Sequence, residues 1–426
     1  MGIFDTERLL HPAPENLAGT SMSIRSCVCE SIKTLSPQLI MRFFTAVLAA
    51  IALAVPALAA PTTLHAVQKY NGETTGRYIV KLKDGVSKAS VLGEAKAKST
   101  HADWKIINGF ASELDEETLN ALRAHPDVEY IEEDGIMHAF DTQTDAPWGL
   151  SRLSSTYSLS GYDDSALDFS YTYDSSSGYG VDIYVVDTGI LTTHSQFGGR
   201  AYWGATFGGY ADADGNGHGT HCAGTAAGSQ FGVAKAATLI AVKVLSDQGS
   251  GAVSDIVSGL DWVLSSAQST GAPSVVSMSL GGSASTSLDN AVAKLTNGGV
   301  HVAVAAGNSN TDAGSTSPAR APSAVTVGAT DINDSRASFS NYGSVVDIFA
   351  PGVNVISSWI GSDYATNEIS GTSMATPHIS GLIAYLIGLN GNVSPATMSS
   401  NIKSLALKGV LYNIPSGTVN YLAHNQ

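Results

Sequence analysis

Cysteine is scarce in this 426-residue chain: only Cys27, Cys29 and Cys222 occur. The first two stand far upstream of any domain-like pattern. If processing removes them, one thiol remains and no intrachain disulfide can form. Secretion permits disulfides but does not require them where the core is large. Charge is sparse as well. Only 14% of the residues are Asp, Glu, Lys or Arg, and the formal net charge is −15. A nucleic-acid binder needs a basic face, so that class of partner is excluded. Long apolar runs are also missing. The run from Phe43 to Val55 is too short for a comfortable transmembrane helix, and no other stretch could span a membrane. What remains is 43% hydrophobic and rich in glycine, with 44 residues. That is a globular composition, long enough for a large core and more than one domain.

Residues 1–40 show no persistent apolar period. Met41-Arg42, the apolar run and Ala57-Leu58-Ala59-Ala60 then follow in the order of a secretory signal peptide. Such a signal starts a chain, so Met41 is read as the initiator. Residues 1–40 are then an upstream extension or a gene-model artefact, 41–60 the signal, and an N-terminal anchor the alternative. Residues 61–76 read as a flexible lead-in.

From Arg77 a small domain is expected. Tyr78 to Leu82 reads as a strand and Ser87 to Ser99 as a helix. Trp104 to Leu114 offers strand material around a turn at Asn108-Gly109. Asp115 to Leu122 reads as an acid-capped helix stopped by Pro126, and Val128 to Glu132 as a last strand. The order β-α-β-β-α-β is ferredoxin-like. Beyond Asp134 a linker leads to Pro147-Trp148-Gly149-Leu150 and a larger domain. There, apolar runs at 181–186, 238–245, 274–280, 300–305, 324–329 and 345–349 read as strands. Helical stretches at 217–228, 254–267, 287–295, 379–389 and 395–405 separate or follow them. The expected fold is α/β, three-layered, with a mainly parallel sheet covered on both faces. In such sheets the site lies at the carboxyl ends of the strands.

Four residues at such ends carry chemistry. Asp187 closes the strand Val181 to Val186; a carboxylate there is costly without a partner, though a capping aspartate reads the same. His218 sits among glycines in Asn216-Gly217-His218-Gly219-Thr220-His221-Cys222. Its rivals are a loop histidine and a metal site from His218, His221 and Cys222. Cys222, four residues on, shares the helix face of His218 and should lie beneath it as a buried small residue. Asn308 follows a strand end, where its amide can donate to an oxyanion or simply make a turn. Ser373 starts a helix in Ser370-Gly371-Thr372-Ser373-Met374-Ala375-Thr376-Pro377-His378, where unused N–H groups and the dipole favour developing negative charge. Pro377 is expected in the first turn and His378 as a structural histidine. The order Asp, His, Ser is that of the subtilisin triad.

The motifs Asp187-Thr188-Gly189, His218-Gly219-Thr220-His221 and Gly371-Thr372-Ser373-Met374-Ala375 resemble the subtilisin-like serine proteases. Asn216-Gly217-His218, Ser279-Leu280-Gly281-Gly282, Phe339-Ser340-Asn341-Tyr342-Gly343 and Asn413-Ile414-Pro415 resemble its proteinase K subgroup. The resemblance covers residues 141–426, while 61–140 resemble the family's propeptide, a folding chaperone and temporary inhibitor. It implies Ser373 as nucleophile, His218 as general base then acid, and Asp187 as the group that fixes the imidazole tautomer. Asn308 and the Ser373 N–H would form the oxyanion hole. Gly249-Ser250-Gly251 and Ser279-Leu280-Gly281 would sandwich the substrate as an added strand. Ala305-Ala306-Gly307 would wall a roomy primary pocket for aromatic or aliphatic side chains. Cleavage after Phe140 would suit that pocket, leaving Asp141 as the mature start.

The resemblance also implies structural calcium at Asp347 with the carbonyls of Pro322 and Ala324. A second family site needs an acid where Val410 stands, so it is not expected. The subgroup's usual two disulfides are missing. Asn333-Asp334-Ser335 and Asn392-Val393-Ser394 are glycosylation sequons. The implied function is a secreted, monomeric serine endopeptidase for protein and peptide substrates, made as a self-cleaving zymogen. It needs no cofactor for chemistry, nucleic acid or membrane. The alternatives are a non-catalytic binding protein on the same fold and a single-target processing protease. The lack of acidic clusters in the pocket segments argues against dibasic selectivity.

Overall fold

Residues 64–70, 74–95, 100–136 and 140–426 are described by the structure, a computed structural model. The expected upstream extension and signal peptide, with Cys27 and Cys29, lie outside the described residues.

The small domain contains β1 (Val67–Gln68), β2 (Thr74–Leu82), α1 (Lys88–Glu94), β3 (Ala102–Trp104), β4 (Gly109–Ser112), α2 (Glu116–Ala124) and β5 (Val128–Gly135). Their sheet order is β1-β5-β2-β4-β3. Without β1 this is the ferredoxin-like arrangement expected from the sequence. Asn108 adopts φ 43 at the turn between β3 and β4, a conformation asparagine tolerates. Asp115 caps α2 by accepting from the Thr118 N–H. The lead-in is not structureless throughout: Val67 and Gln68 pair in parallel with Ile131 and Glu132. The edge of β5 offers backbone groups that those two residues satisfy.

The larger domain starts where a linker was expected. Instead β6 (Phe140–Ala146) pairs antiparallel with β7 (Phe169–Asp174), and α3 (Trp148–Ser154) lies between them. There follow β8 (Asp182–Asp187), β9 (Ala201–Thr206), α4 (His218–Ala227), β10 (Thr238–Lys243), α5 (Val253–Thr270), β11 (Ser274–Met278), β12 (Gly282–Ser283), α6 (Thr286–Asn297), β13 (His301–Ala305), β14 (Thr316–Ser317) and β15 (Val325–Thr330). The chain ends through β16 (Ile348–Pro351), the hairpin β17 (Val355–Ser358) and β18 (Thr366–Ile369), α7 (Thr372–Asn390), α8 (Pro395–Leu405), β19 (Leu407–Lys408) and β20 (Tyr421–Leu422). The main sheet has nine strands in the order β19-β20-β16-β15-β13-β11-β8-β10-β9. All its pairings are parallel except β19 with β20.

The three layers follow from alternation along apolar strands. Ile183 and Val185 of β8 enter one core with Cys222, Ala223, Ile379 and Leu382. Tyr184 and Val186 enter a second core with Leu260, Val263, Leu288 and Val292. A strand covered on both faces therefore reads as continuously apolar. Each fully buried Leu or Ile contributes about 1.5–3 kcal/mol of transfer free energy.

Glycine sets how closely α4 and α7 approach. A Cβ on Gly381 would fall 2.6 Å from the Ala226 carbonyl. Ala226 is eight residues beyond His218, and Gly381 eight beyond Ser373. The two helices thus run side by side from one rim of the sheet and start at the two residues of interest.

Candidate active site

Asp187 ends β8 with no solvent exposure. Its Oδ1 lies 2.7 Å from His218 Nδ1 and accepts the Thr188 N–H at 2.7 Å. A carboxylate can only accept, so Nδ1 must carry the proton. In a neutral ring Nε2 is then the free base. Burial works against the imidazolium of His218. The charge of Asp187 and its hydrogen bond to the ring, with the Cys222 sulfur beside it, outweigh it and hold the pKa well above the ordinary histidine value.

Asp214 organises the approach to His218. Its Oδ1 accepts from Thr188 Oγ1 (2.9 Å), the Asn216 N–H (3.1 Å) and the Gly217 N–H (2.9 Å). Its Oδ2 accepts from the Thr220 N–H (3.0 Å) and Thr220 Oγ1 (2.6 Å). Thr188 Oγ1 in turn accepts the Gly219 N–H at 2.9 Å. One carboxylate thereby ties the first turn of α4 to the residue after Asp187. Gly217 has φ +99, and a Cβ there would meet the Trp359 ring at 2.6 Å. Lys243, buried at the end of β10, donates to the Thr188 carbonyl and to Asp247. Sequence reasoning assigned no role to Asp214. Its signal was an aspartate shortly before a helix start, a capping pattern.

Ser373 is the second residue of α7, after the N-cap Gly371. Its Oγ donates to the Ser279 carbonyl at 3.2 Å, not to His218. The side chain would have to rotate for this hydroxyl to donate to the His218 ring. Catalytic hydrogen bonds commonly tighten only with substrate. Pro377 is not in the first turn, as expected, but six residues past the N-cap inside the helix. At that depth its missing N–H leaves the Ser373 carbonyl without its i+4 donor. Ser279 Oγ fills the gap at 2.7 Å and Cys222 Sγ at 3.4 Å. The Ser373 backbone is thus held by side chains from two other elements.

Asn308 lies just past β13. Its Oδ1 accepts both the N–H and the Oγ1 hydroxyl of Thr372, each at 2.8 Å. Thr372 Oγ1 also accepts the Gly307 N–H at 3.1 Å. This network fixes the amide orientation and leaves Nδ2 to face outward as a donor. A Cβ on Gly371 would lie 3.5 Å from both Asn308 Nδ2 and the Ser373 N. The two donor nitrogens therefore lie close together at the start of α7. Gly307, at φ +104, leaves room for the Asn341 amide 2.4 Å from where a Cβ would be.

These groups line a cleft of about 970 Å³. Gly249, Ser250 and Gly251 border it on one side, and Ser279, Leu280 and Gly281 on the other, with Ala305, Gly307 and Asn308 at its wall. Ala306 does not line it. It is fully buried, its carbonyl accepts from Asn341 Nδ2, and it packs with Val346 and Phe349. Alternation along the chain turns it away from its neighbours.

His221 and His378 are structural. His221 is buried with Nε2 2.9 Å from the Val355 carbonyl, and burial lowers its pKa to about 3. It faces β17, away from a site shared with His218 and Cys222. Among the described residues, the group that could share an ion is Asp187, His218 and Cys222. The Cys222 thiol is itself pushed up by burial. His378, with Nδ1 2.9 Å from the Met374 carbonyl, is lowered to about 4 by burial.

The residues expected to hold calcium fit a divalent ion poorly. Asp347 is already engaged: Oδ1 by Lys403 Nζ at 3.1 Å and Oδ2 by the Thr326 N–H at 3.0 Å. Pro322 is exposed and Ala324 buried, and neither supplies a second carboxylate. Val410, in place of the second site's acid, packs beside Phe349 and Leu411.

Comparison with known proteins agrees with this geometry. A model of the Subtilase family matches residues 178–420, and one described as Peptidase inhibitor I9 matches 103–140. The chain is 49% identical over 356 residues to the cuticle-degrading protease of Metarhizium anisopliae, covering 82% of this chain and 89% of that one. It is 50% identical over 355 residues to proteinase R of Parengyodontium album, covering 82% and 88%. A crystal structure of a cold adapted subtilisin-like serine proteinase superposes with a TM-score of 0.61 at 45% identity, covering 66% of this chain and 99% of that chain. With an acid, a base and a hydroxyl at one rim, and an inhibitor-type segment ahead of them, the chain belongs to the subtilase family of serine proteases.

Proposed function

We propose that this chain is a secreted serine endopeptidase, made as a zymogen that cleaves itself, in which Asp187, His218 and Ser373 form the triad. The observation that carries this is the 2.7 Å contact of His218 Nδ1 with buried Asp187, at the rim where Ser373 begins α7. Substrate enters as a strand between Gly249–Gly251 and Ser279–Gly281. Ser373 turns from the Ser279 carbonyl to His218 Nε2, loses its proton there and attacks the scissile carbonyl. The Asn308 amide and the Ser373 N–H stabilise the oxyanion. His218 passes its proton to the leaving amine, and water then hydrolyses the acyl-enzyme by the same route. Small walls at Ala305 and Gly307 favour aromatic or aliphatic side chains at the cleaved position.

Self-cleavage after Phe140 requires a rearrangement. Phe140 pairs with Asp174, whose N–H donates to the Tyr385 hydroxyl at 3.1 Å. Tyr385 lies twelve residues along α7 from Ser373, about 18 Å at the helical rise. The segment at β6 must therefore leave β7 to reach the cleft. Among the described residues no helix is long and apolar enough to cross a membrane. Asn333 and Asn392 are exposed, as acceptors of glycan must be. Calcium at Asp347 is not part of this reading, because Lys403 already balances that carboxylate.

The test is expression of Ser373→Ala. The variant should accumulate with the propeptide attached, while the parent yields a chain starting near Asp141. Maturation of the variant without added protease would disprove self-processing. A serine-directed phosphonylating reagent should label the parent at Ser373. Absence of label on folded, propeptide-free protein would favour the binding-protein alternative.

A further inference from the structure

Asp347 stands just before β16, where its own N–H donates to the Thr326 carbonyl. Its carboxylate reaches back to the Thr326 N–H through Oδ2 and out to Lys403 through Oδ1. Lys403 lies in the last turn of α8, where a cation also meets the negative end of the helix. The side chains are 33% and 24% exposed, so the contact is reachable by solvent ions. Calcium needs six to eight oxygen ligands, and charged ones set its affinity. Here one carboxylate stands with the neutral carbonyls of Pro322 and Ala324, and both of its oxygens are in use. No cluster of three ligating side chains forms around it: among the described residues that cluster is Asp187, His218 and Cys222. A divalent ion on Oδ1 would face the Lys403 ammonium at close range, and that repulsion is strong near a protein surface.

We infer that Lys403 is the resident cation of Asp347. Its ammonium balances the carboxylate and tethers α8 to the β15–β16 edge, the work that the family resemblance assigns to calcium. A lysine delivered from α8 competes with a metal for one oxygen, so calcium affinity at this site is suppressed for as long as the lysine is present. The inference does not rest on catalysis.

The experiment uses the full-length chain with Ser373→Ala throughout, to prevent self-digestion. Lys403→Met, Lys403→Gln, Lys403→Arg and the double variant Lys403→Met/Asp347→Asn are compared with that parent. Calcium alone is titrated by calorimetry, and melting is followed in chelator and in millimolar calcium. The neutral variants should bind calcium at least about tenfold more tightly than the parent, and calcium should raise their melting temperature more than the parent's. Lys403→Arg should behave as the parent does, and the double variant should lose the gain. Any calcium bound elsewhere is common to all the chains and cancels. Equal calcium responses in the parent and both neutral variants would overturn the inference. So would a gain that survives in the double variant, since the metal would then not sit on Asp347. Should Lys403→Met fail to fold, Lys403→Gln carries the same comparison with a polar side chain of similar length.

Discussion

Replacing Asp214 by alanine removes the acceptor of five hydrogen bonds around the start of α4. The loss can be sized from the structure. Asn216 is half-exposed, so its N–H recovers part of what it loses, whereas Gly217 is buried. Thr220 has no exposure, so its N–H cannot be handed to solvent. A hydrogen bond to a charged group is worth about 1.5–3 kcal/mol net, and a buried orphan donor costs about 1–3. With discount for partial exposure, Asp214→Ala should cost about 3 kcal/mol. For a domain of this size that lowers the melting temperature by about 5 °C. Asp214→Asn keeps one oxygen and should cost about 1 kcal/mol. Activity should fall further than stability. His218 is the first residue of α4, and a shift of about 1 Å in a catalytic group can cost about 10²-fold. The assays are calorimetric melting of serine-blocked enzyme and kcat/KM on a peptide anilide, with KM expected to change little. A melting temperature within about 1 °C of the parent together with kcat/KM within about twofold would refute the idea that Asp214 positions the base.

Three further outcomes follow from the site. The acid limb of kcat/KM should have its midpoint above the ordinary histidine value of about 6.5, because the raised His218 pKa keeps the base protonated until pH exceeds it. Asp187→Asn should move that midpoint down as well as lower kcat, and an unmoved midpoint would show that Asp187 does not set the proton affinity. Asn308→Ala should lower kcat by about 10²–10³-fold with KM nearly unchanged, the loss known for such an amide in a subtilisin; a change in KM alone would remove Asn308 from the oxyanion hole. Pro377→Ala restores an N–H that competes with Ser279 and Cys222 for the Ser373 carbonyl. Its melting temperature should hold or rise while kcat drops, and an unchanged kcat would mean that the carbonyl's partners do not position the nucleophile.

Much of the site was readable before any coordinates. Asp187, His218, Asn308 and Ser373 each occupy a strand end or helix start, and such positions are legible from apolar runs interrupted by Gly, Asn and Thr. The two glycine-bearing edges of the cleft were legible for the same local reason. Ala306 was misassigned because a three-residue wall was read without its alternation, and its side chain turns into a core around Phe349. Pro377 was misplaced because the helix start was set too late in the chain. The β6 strand was missed because polar residues such as Thr142 and Gln143 look like a linker until β7 pairs with them. The Lys403–Asp347 contact spans 56 positions, and no local pattern announces it.

By itself, the sequence determined the three-layer α/β arrangement, the order of acid, histidine and serine, and the small residues that let α4 and α7 pack closely. These depend on periodicity and on residue size, which are local properties. Tertiary structure alone decided that Asp214 ties down the helix start at His218, that Ser279 and Cys222 hold the carbonyl freed by Pro377, and that a lysine pairs with Asp347. Each is a contact between elements far apart in the chain, made where folding brings their ends to one rim or edge. A side chain's partner across such a gap is set by packing geometry, and packing geometry is not written in any short stretch of residues.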